Sequence, residues 1–335
     1  MLKLQTPVET PQNASPITYQ DKILVLGSCF ADNIGIKMQQ AGLNVCVNPF
    51  GTLYNPQTIR QSLDHLAAGT LFTDADCVEM GANAGLICSF SHHTSFARPT
   101  RQEFLDNANK RLAEARAFYH ECNIIIITFG TAWVYKHGND GIVSNCLKRR
   151  ADEFQRLKMT VSEISALYTN LLAQSNKRFI FTVSPIRHLK DGAHGNQISK
   201  STLLLAIDDI IHANNGDTPL NDGVLDNPSN NSTLVNPSNN STLVNPSNNS
   251  TLVNPSNDSI LKKPFHKIEY FPSYEIVLDE LRDYRFYAED LTHPSNVAVN
   301  YIWERFTQTY LTPADQQRAI NEAKHFRQSL HIPLH

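Results

Sequence analysis

The chain has 335 residues, and its 29 lysine and arginine residues against 32 aspartate and glutamate residues give a net charge of −3. With 41% hydrophobic and 18% charged residues it can form a sizeable core, which argues against a disordered chain, a coiled coil or a collagen-like fibre. The near-neutral charge gives no reason to expect nucleic acid as a partner, and no apolar run approaches the roughly 18 residues that a membrane helix needs.

The amino-terminal stretch Met1–Pro7 lacks the apolar segment of a secretory signal, so we expect a cytoplasmic protein without a membrane partner. The six cysteines, at positions 29, 46, 77, 88, 122 and 146, form no C-x-x-C pair. This disfavours a zinc ribbon or a thioredoxin-like site, and free thiols are expected in a reducing compartment. The sequence does not indicate an oligomeric state.

Strand patterns alternate with helical patterns along most of the chain. The predicted strands are Lys22–Leu26, Asn44–Val47, Asn123–Phe129, Arg178–Val183 and Lys267–Phe271. The predicted helices are Phe30–Gly42, Pro56–Ala68, Arg101–His120, Val161–Asn176, Asn196–Ala213, Pro294–Tyr310 and Pro313–Leu330. Apolar strands between helices indicate a parallel sheet covered on both sides, so the expected fold is a single-domain, three-layer α/β/α sandwich with a mainly parallel sheet. Residues 69–99 break this rhythm and are expected to form a loop or hairpin excursion over one rim.

A nonapeptide repeat interrupts the pattern near the carboxyl-terminal third. Asn227–Val235 reads NPSNNSTLV, the same nine residues recur at Asn236–Val244 and Asn245–Val253, and a decayed copy begins at Asn254. Leucine and valine are the only large apolar residues of each copy, whereas a solenoid repeat must bury an apolar face on its neighbour. The composition therefore favours a disordered or loosely turned low-complexity insertion at about residues 217–261 over a short β-solenoid-like stack.

A serine follows the first predicted strand, in the run Gly27-Ser28-Cys29. Ligands of open parallel sheets bind beyond the carboxyl ends of the strands. A hydroxyl at the start of the next helix lies where the helix dipole favours a developing oxyanion, which makes Ser28 a candidate nucleophile. Alternatively, Ser28 only caps the helix.

Asp290 and His293 lie three residues apart, just before the helix predicted from Pro294. On a tight turn, the carboxylate can hold the tautomer of the imidazole while the other ring nitrogen takes a proton from a hydroxyl. Alternatively, Asp290 caps the helix and His293 has no role. Because this pair and Ser28 both lie at predicted strand-to-helix edges on one rim, the sequence favours a shared site.

The run Leu26–Ala31 (LGSCFA) resembles the signature of the GSCFA family, a branch of the GDSL/SGNH-like serine hydrolases. Other stretches that resemble this family are Asn48–Pro56, Phe129–Trp133, Ser184–His188 and Tyr287–Asp290. The resemblance spans about residues 20–310 apart from the repeats. It implies that Ser28 is the nucleophile, His293 the general base and Asp290 its orienting partner.

The resemblance also implies an oxyanion hole formed by the backbone N–H groups of Ser28 and Gly51. The third sequence block of the superfamily is G-x-N-D, whose asparagine donates to the oxyanion, but this chain has Ala132 at that position. Losing one such donor typically slows catalysis by about 10²–10³-fold, so a replacement is expected. The Thr131 hydroxyl is the preferred replacement, and the side chains of Asn48 and Asn55 are the alternatives.

Cys29 adjoins Ser28 and could itself act as a thiolate nucleophile. Neighbouring residues in a turn point in different directions, so only one of the two can face His293. The resemblance favours Ser28, with Cys29 packed beneath the helix.

Five further side chains are candidates for substrate binding. His92 and His93, on the excursion over the rim, either line the pocket or are solvent-exposed loop histidines. Arg187 and His188 follow a predicted strand and could bind a carboxylate or a sugar hydroxyl, or Arg187 could form a loop salt bridge. Asn55 is the fifth candidate.

The expected function is that of a serine esterase that needs neither metal nor cofactor. Its substrate would be an ester, possibly an O-acetyl group, on a glycan or a small molecule. The chain has no G-x-G-x-x-G or phosphate-loop motif, and no His-x-x-x-His spacing supports metal ligation by His92, His93 and Asp290. Two alternatives remain: an O-acyltransferase with the same three residues, and a non-catalytic binding protein on a hydrolase scaffold.

Overall fold

A computed structural model of the chain describes residues 6–12, 14–82, 85–138, 140–215 and 268–329. The repeat insertion expected at about residues 217–261 lies outside the described residues. The strands are β1 (Lys22–Gly27), β2 (Asn44–Val47), β3 (Val78–Glu79), β4 (Ile87–Cys88), β5 (Ile124–Phe129), β6 (Trp133–His137), β7 (Gly141–Val143), β8 (Phe154–Lys158), β9 (Arg178–Val183) and β10 (Ile268–Phe271).

The helices lie between these strands at nearly the positions expected from the sequence. They are α1 (Cys29–Gln40), α2 (Pro56–Ala68), α3 (Arg101–Glu121), α4 (Val161–Ala173), α5 (Gly192–Asn215), α6 (Ser273–Glu275), α7 (Asn296–Tyr310) and α8 (Pro313–Ser329). A π-helical turn, Ile276–Leu281, continues α6. None of the helices in the described part of the chain combines the length and apolar character that a membrane-spanning helix needs.

Five strands form a central sheet in the order β10-β9-β5-β1-β2, and every neighbouring pair is parallel. The isoleucines of β5 show how its two faces are used. Ile125 and Ile127 pack in one core with residues of α2, α3, α4 and α5. Ile124 and Ile126 pack in the other core with α1, α7 and α8. This arrangement confirms the expected three-layer α/β/α sandwich.

Two small antiparallel sheets accompany the central sheet: the three-stranded one was not predicted, whereas the two-stranded one agrees with the hairpin alternative expected at residues 69–99. Strands β7, β6 and β8 form a three-stranded sheet with β6 in the middle, and β3 pairs with β4 within the excursion at residues 69–99. Four of the five residues of β8 are exposed, so this strand carries no apolar run that sequence patterning could detect.

Gly27, at the end of β1, has a backbone conformation and a neighbour that exclude a side chain. Its φ is +146°, and a Cβ atom there would lie 2.3 Å from the carbonyl oxygen of Thr128 on β5. Its N–H donates to Oδ1 of Asn48 at 2.8 Å. Glycine at this position therefore lets the chain turn directly from β1 into the loop that carries the site.

Gly27→Ala is expected to lower the free energy of unfolding by at least about 2 kcal/mol, because strain and overpacking act together. Urea denaturation would measure the loss. Gly141→Ala is the matched control, since Gly141 also has a positive φ of +75° but no atom lies within 4 Å of its Cβ position. Equal losses in the two variants would contradict the assignment of the effect to the contact with Thr128.

Candidate active site

A cleft of about 690 Å³ opens beyond the carboxyl ends of the central strands. It brings together residues from the ends of β1, β5 and β9, from the loop before α7 and from the small sheet. The sequence-predicted site residues among its lining are Ser28, Asn55, Thr131, Arg187, His188 and His293. Cys29 also lines this cleft.

Ser28 and Cys29 form the turn from β1 into α1. Ser28 is the N-cap: its Oγ accepts a hydrogen bond from the N–H of Phe30 at 3.3 Å, and only 1% of its surface is exposed. Cys29 is the first residue of the helix, where backbone N–H groups have no acceptor within the helix. The Cys29 thiol and its N–H group therefore lie together at the positive end of α1.

The sulfur of Cys29 lies 3.6 Å from Nε2 of His293. The other ring nitrogen, Nδ1, lies 2.5 Å from Oδ2 of Asp290. A neutral imidazole with its proton on Nδ1 donates to this carboxylate and leaves Nε2 free to accept the thiol proton. The three side chains have the order of a nucleophile, a base and an orienting acid.

The expectation that Ser28 faces His293 while Cys29 packs beneath the helix is wrong. The Ser28 hydroxyl is directed to the N–H of Phe30, and the next residue along the turn presents its side chain to the imidazole. The helix-capping alternative considered for Ser28 is the role that the structure gives it.

The Asp290 carboxylate stabilises the loop that carries His293. Oδ1 of Asp290 accepts hydrogen bonds from the N–H groups of Thr292 and His293, both at 2.9 Å. These bonds, together with the bond from the His293 side chain, hold the pKa of Asp290 below its usual value. The carboxylate therefore stays ionised through the neutral pH range. The expected pairing of Asp290 with His293 is present in the structure.

Arg187, in the loop that follows β9, supports the same loop. Its N–H donates to the carbonyl of Thr292 at 3.0 Å, and its guanidinium donates to the carbonyl of Leu291 at 3.1 Å. Leu291 has a φ of +55°, an uncommon conformation for a residue with a side chain. Arg187 lines the cleft as expected, but these bonds direct it to the His293 loop rather than to a bound substrate.

Gly51 was expected to donate its N–H to an oxyanion, but it donates to the carbonyl of Asn48 at 2.8 Å and does not line the cleft. Gly51 has a φ of +82°, and its N–H group is used for a hydrogen bond within the tight turn. That part of the predicted oxyanion hole is therefore wrong.

Thr131 and Asn55 do line the cleft, but they differ in the donor that they can offer. The Thr131 hydroxyl accepts a bond from the N–H of Trp133 at 3.2 Å and lies 3.1 Å from the hydroxyl of Ser199 on α5. Oδ1 of Asn55 caps α2 by accepting from the N–H of Thr58, which leaves its amide NH₂ without a recorded partner among the described residues. Asn55 therefore has a side-chain N–H donor in the cleft that its capping bond does not use.

Asn48 fixes the turn that carries Ser28 and Cys29. Its Oδ1 accepts from the N–H of Gly27, and its Nδ2 donates to Asp32 on α1 at 2.6 Å. Its own N–H donates to the carbonyl of Val25 on β1. One side chain thus connects the end of β1 to the first turn of α1. It does not line the cleft, so it is not the replacement oxyanion donor considered as an alternative.

Burial raises the pKa of the Cys29 thiol above its usual value. The N–H groups of Cys29 and Phe30 and the ammonium of Lys200 act in the opposite direction, whereas the Asp32 carboxylate adds to the increase. The Cys29 side chain is therefore a thiol at neutral pH.

The structure places His92 and His93 away from the cleft. His92 is fully buried among Phe50, Phe72 and Phe96, and burial lowers its pKa to about 3. His93 caps the 3₁₀ turn Thr94–Phe96 with its ring nitrogen. Neither residue lines the cleft, so the expectation that one of them does is wrong. The phenylalanines around His92 give it an apolar environment that sequence position alone did not reveal.

His188 lines the cleft as expected and remains neutral. Burial lowers its pKa to about 4, and the charges of Lys200 and His293 contribute to this decrease. Its Nε2 atom is buried and has no hydrogen-bond partner among the described residues.

The far wall of the cleft comes from the small antiparallel sheet and the 3₁₀ turn Leu189–Asp191. The guanidinium of Arg156 lies 4.1 Å above the ring of Trp133 and forms an ion pair with Asp191. This pair joins β8 to the turn after β9. Sequence analysis assigned no role to Arg156 or Asp191, because they lie far apart along the chain.

Sequence analysis also missed Lys200, which lies on the buried face of α5. It is three residues before Leu203 and seven before Ile207, both of which are in the core. The sequence feature that could have revealed it is a lysine placed at the helical spacing of the buried apolar residues of α5. Its ammonium donates to the carbonyls of Gly130 and Ser184, at 2.6 and 2.7 Å.

Comparison with known proteins identifies one family. A sequence model described as the GSCFA family matches residues 22–218 and 243–306, which include Cys29, Asn55, Asp290 and His293. No curated protein and no solved structure matches the chain significantly.

Proposed function

This chain belongs to the GSCFA family, and we propose that it is an acyl-ester hydrolase whose nucleophile is the thiol of Cys29. The observation that carries the proposal is the 3.6 Å contact between the Cys29 sulfur and Nε2 of His293, with Asp290 bonded to the other ring nitrogen. A nucleophile, a base and an orienting acid in this order are the groups that covalent acyl transfer requires.

In the first half of the reaction, Nε2 of His293 takes the thiol proton of Cys29, and the thiolate attacks the carbonyl carbon of the ester. The negative charge that develops on the carbonyl oxygen is stabilised by the N–H of Cys29 and the amide NH₂ of Asn55. Asp290 stabilises the imidazolium. The tetrahedral intermediate then collapses, the C–O bond to the alcohol breaks, and His293 returns its proton to the departing alcohol.

In the second half, water hydrolyses the thioester formed on Cys29. His293 takes a proton from the attacking water, and the same donors stabilise the second oxyanion. The C–S bond then breaks, the carboxylic acid leaves, and the thiol is restored. Water can reach the base because 45% of the His293 side chain is exposed.

The proposed substrate is a small or glycan ester, with an O-acetyl group as the simplest acyl group. A cleft of about 690 Å³ can hold a drug-sized or monosaccharide-sized molecule. The partly buried Trp133 offers an aromatic ring in the cleft against which the apolar face of a sugar can pack. The same three catalytic groups would serve an O-acyltransferase if an acceptor alcohol replaced water. The exposure of His293 to solvent favours hydrolysis.

Acyl trapping tests the proposal. We expect that the protein, incubated with p-nitrophenyl acetate and quenched in acid, carries one acetyl group on the peptide that contains Cys29. Peptide mapping by mass spectrometry would locate it, and neutral hydroxylamine would remove it as expected for a thioester.

Cys146→Ser is the matched control, because Cys146 is another partly buried free cysteine that lines the same cleft. This variant should be acetylated as the wild type is. The absence of acetyl from Cys29, or equal labelling of Cys29 and Cys146, would contradict the proposal and favour a binding protein. Product analysis with acceptor sugars present would distinguish the hydrolase from an acyltransferase.

A further inference from the structure

We infer that a second pocket, beside the cleft that holds Cys29 and His293, binds a sugar unit that carries an anionic group. This second pocket has a volume of about 320 Å³ and is lined by the loop after β9, by the start of α5 and by residues from Tyr274 to Tyr287. We call it the tyrosine pocket, and we call the other the Cys29 cleft. The inference rests on the proposed function only where it places the bound sugar and the ester on one substrate.

The tyrosine pocket and the Cys29 cleft are neighbours, because Arg187 and Leu189 line both of them. Leu189 is 41% exposed, so the boundary between them includes a surface side chain. The guanidinium of Arg187 lies 5.4 Å from the ring of Tyr287 in the tyrosine pocket. The N–H of the next residue, Ala288, donates to the carbonyl of His293 at 2.7 Å. One segment therefore carries both the imidazole of the cleft and a wall of the tyrosine pocket.

The lining of the tyrosine pocket carries unpaired positive charge. Arg187 and Arg282 both line it, and among the described residues neither forms an ion pair with a carboxylate. The carboxylate of Asp283 also lines the pocket, but it is paired with Arg285 at 3.0 Å. A carboxylate or a phosphate is the partner that a free guanidinium binds best, through two parallel hydrogen bonds. The charge therefore favours an anionic ligand.

Arg282 is the arginine that is free to bond this anion. Arg187 already donates to the His293 loop, at the carbonyl of Leu291. The backbone of Arg282 has a φ of +38°, and its N–H ends the π-helical turn by donating to the carbonyl of Val277 at 3.0 Å. Glycine is the usual residue at a helix end with this conformation. Arginine carries a conformational cost here, which is consistent with a role for its charge.

Two aromatic rings in the tyrosine pocket suit the apolar face of a sugar. Tyr284 is 66% exposed, and its ring centroid lies 6.2 Å from that of Tyr287. A tyrosine with most of its surface in solvent contributes little to the core, whereas its ring and hydroxyl can contact a ligand that has both apolar and polar faces. The two rings therefore favour a sugar over a simple inorganic anion.

Two amide side chains provide hydrogen-bond donors for sugar hydroxyls. Oδ1 of Asn196 accepts from the N–H of His188 at 2.9 Å, and this bond does not use its NH₂ group. Oε1 of Gln197 accepts from the hydroxyl of Tyr274, which also leaves the amide NH₂ unused. Both residues line the tyrosine pocket. The pocket thus combines a cation, aromatic rings and neutral donors, which together match an anionic sugar.

Sugar binding can be tested by fluorine nuclear magnetic resonance on protein labelled with 3-fluorotyrosine, in which Tyr284→Phe identifies the resonance of Tyr284. D-glucose, D-glucuronate and D-glucose 6-phosphate are the probes, because they share one ring and differ in the anion. We expect the glucuronate or the phosphate to shift this resonance with a dissociation constant at least about tenfold lower than that of glucose. The better of the two identifies the anion. Equal affinities for all three, or no saturable shift, would overturn the inference.

Arg282→Gln is expected to weaken binding of the preferred anionic sugar about tenfold and to change glucose binding little. Arg282→Gly covers the case in which this variant does not fold, because glycine adopts a positive φ without strain. Arg318→Gln is the matched control: Arg318 is also exposed and lies 3.7 Å from the ring of Tyr19, but it does not line the tyrosine pocket. It should bind as the wild type does. Equal weakening in the two glutamine variants would show a general charge effect and overturn the inference.

The link to the Cys29 cleft needs a separate measurement with an ester. We expect O-acetylated maltose with the preferred anion on its second sugar unit to be hydrolysed with a kcat/KM about tenfold higher than that of neutral O-acetylated maltose. Equal values would overturn the placement of both groups on one substrate. A protein that binds the anionic sugar but hydrolyses no ester would contradict the proposed function and leave the sugar site intact. Hydrolysis without anionic-sugar binding would do the reverse.

Discussion

Cys29→Ala is expected to abolish ester hydrolysis, with a loss of at least about 10³-fold in kcat/KM for p-nitrophenyl acetate. The physical reason is that, among the described residues, the thiol is the only nucleophilic side chain within hydrogen-bond distance of Nε2 of His293, the ring nitrogen that does not face Asp290. The fold should persist, because the alanine methyl group keeps the helix start and removes no capping bond. Circular dichroism and steady-state kinetics would measure the two properties.

Ser28→Ala is the matched variant one residue earlier. Its hydroxyl caps α1 and lies outside the contact with His293. We expect it to lose about 1 kcal/mol of stability, as for other lost N-caps, while kcat changes little. The opposite pattern, with Cys29→Ala active and Ser28→Ala inactive, would return the nucleophile to the serine and contradict the role that the geometry assigns to the sulfur.

Asp290→Asn is expected to lower kcat by about 10²–10⁴-fold, with a smaller change in KM. The carboxylate fixes the proton of His293 on Nδ1, whereas an amide can present its NH₂ group there and favour the wrong tautomer. The amide oxygen can still accept from the N–H groups of Thr292 and His293, so the loop should keep its shape. The kinetics across the neutral pH range would measure the effect.

Asp283→Asn provides the control for this change. Asp283 is another carboxylate of the same part of the chain, and it accepts a bond from the N–H of Arg285 two residues later, at 2.8 Å. It does not line the cleft that holds Cys29 and His293. Its replacement should leave kcat unchanged. A retained kcat in Asp290→Asn would show that His293 does not depend on this carboxylate and would remove the acid from the proposed mechanism.

The central sheet could be predicted because its strands are apolar on both faces. Asn44–Val47 and Arg178–Val183 match the observed strands in full, and Pro56–Ala68 matches α2. The small sheet could not be predicted in the same way. The residues of β8 are mostly exposed, and β6 and β8 pair across nearly twenty residues of chain, a contact that periodicity does not encode.

The residue that contacts His293 from the turn between β1 and α1 lies one position after the one predicted. Both Ser28 and Cys29 lie where β1 ends and α1 begins. Their position could be predicted from the apolar pattern of β1, but the direction of each side chain could not. The decision depends on the backbone: the capping residue directs its oxygen to the N–H of Phe30, and the first helical residue points into the cleft. Asp290 and His293 were found because a carboxylate and an imidazole three residues apart can meet within a single turn.

The donors proposed for the oxyanion were harder to predict, for a related reason. Gly51 and Asn55 lie in one short motif, and each offers an N–H donor. The local fold decides which donor is used within the protein. The N–H of Gly51 bonds to the carbonyl of Asn48 in a tight turn. The Asn55 side chain, in contrast, uses only its oxygen to cap α2.

The bonds made by Asn48 have a consequence for how much order the proposed reaction must create. Because Gly27, Val25 and Asp32 are joined through this one residue, the sulfur is held on two rigid elements before any ligand arrives. The entropy lost in aligning the Cys29 sulfur is therefore lost once, when the chain folds, and not again in each cycle of the proposed reaction. In the proposed reaction the sulfur is already aligned in the free protein, so only the ester has to lose conformational freedom on the way to the transition state.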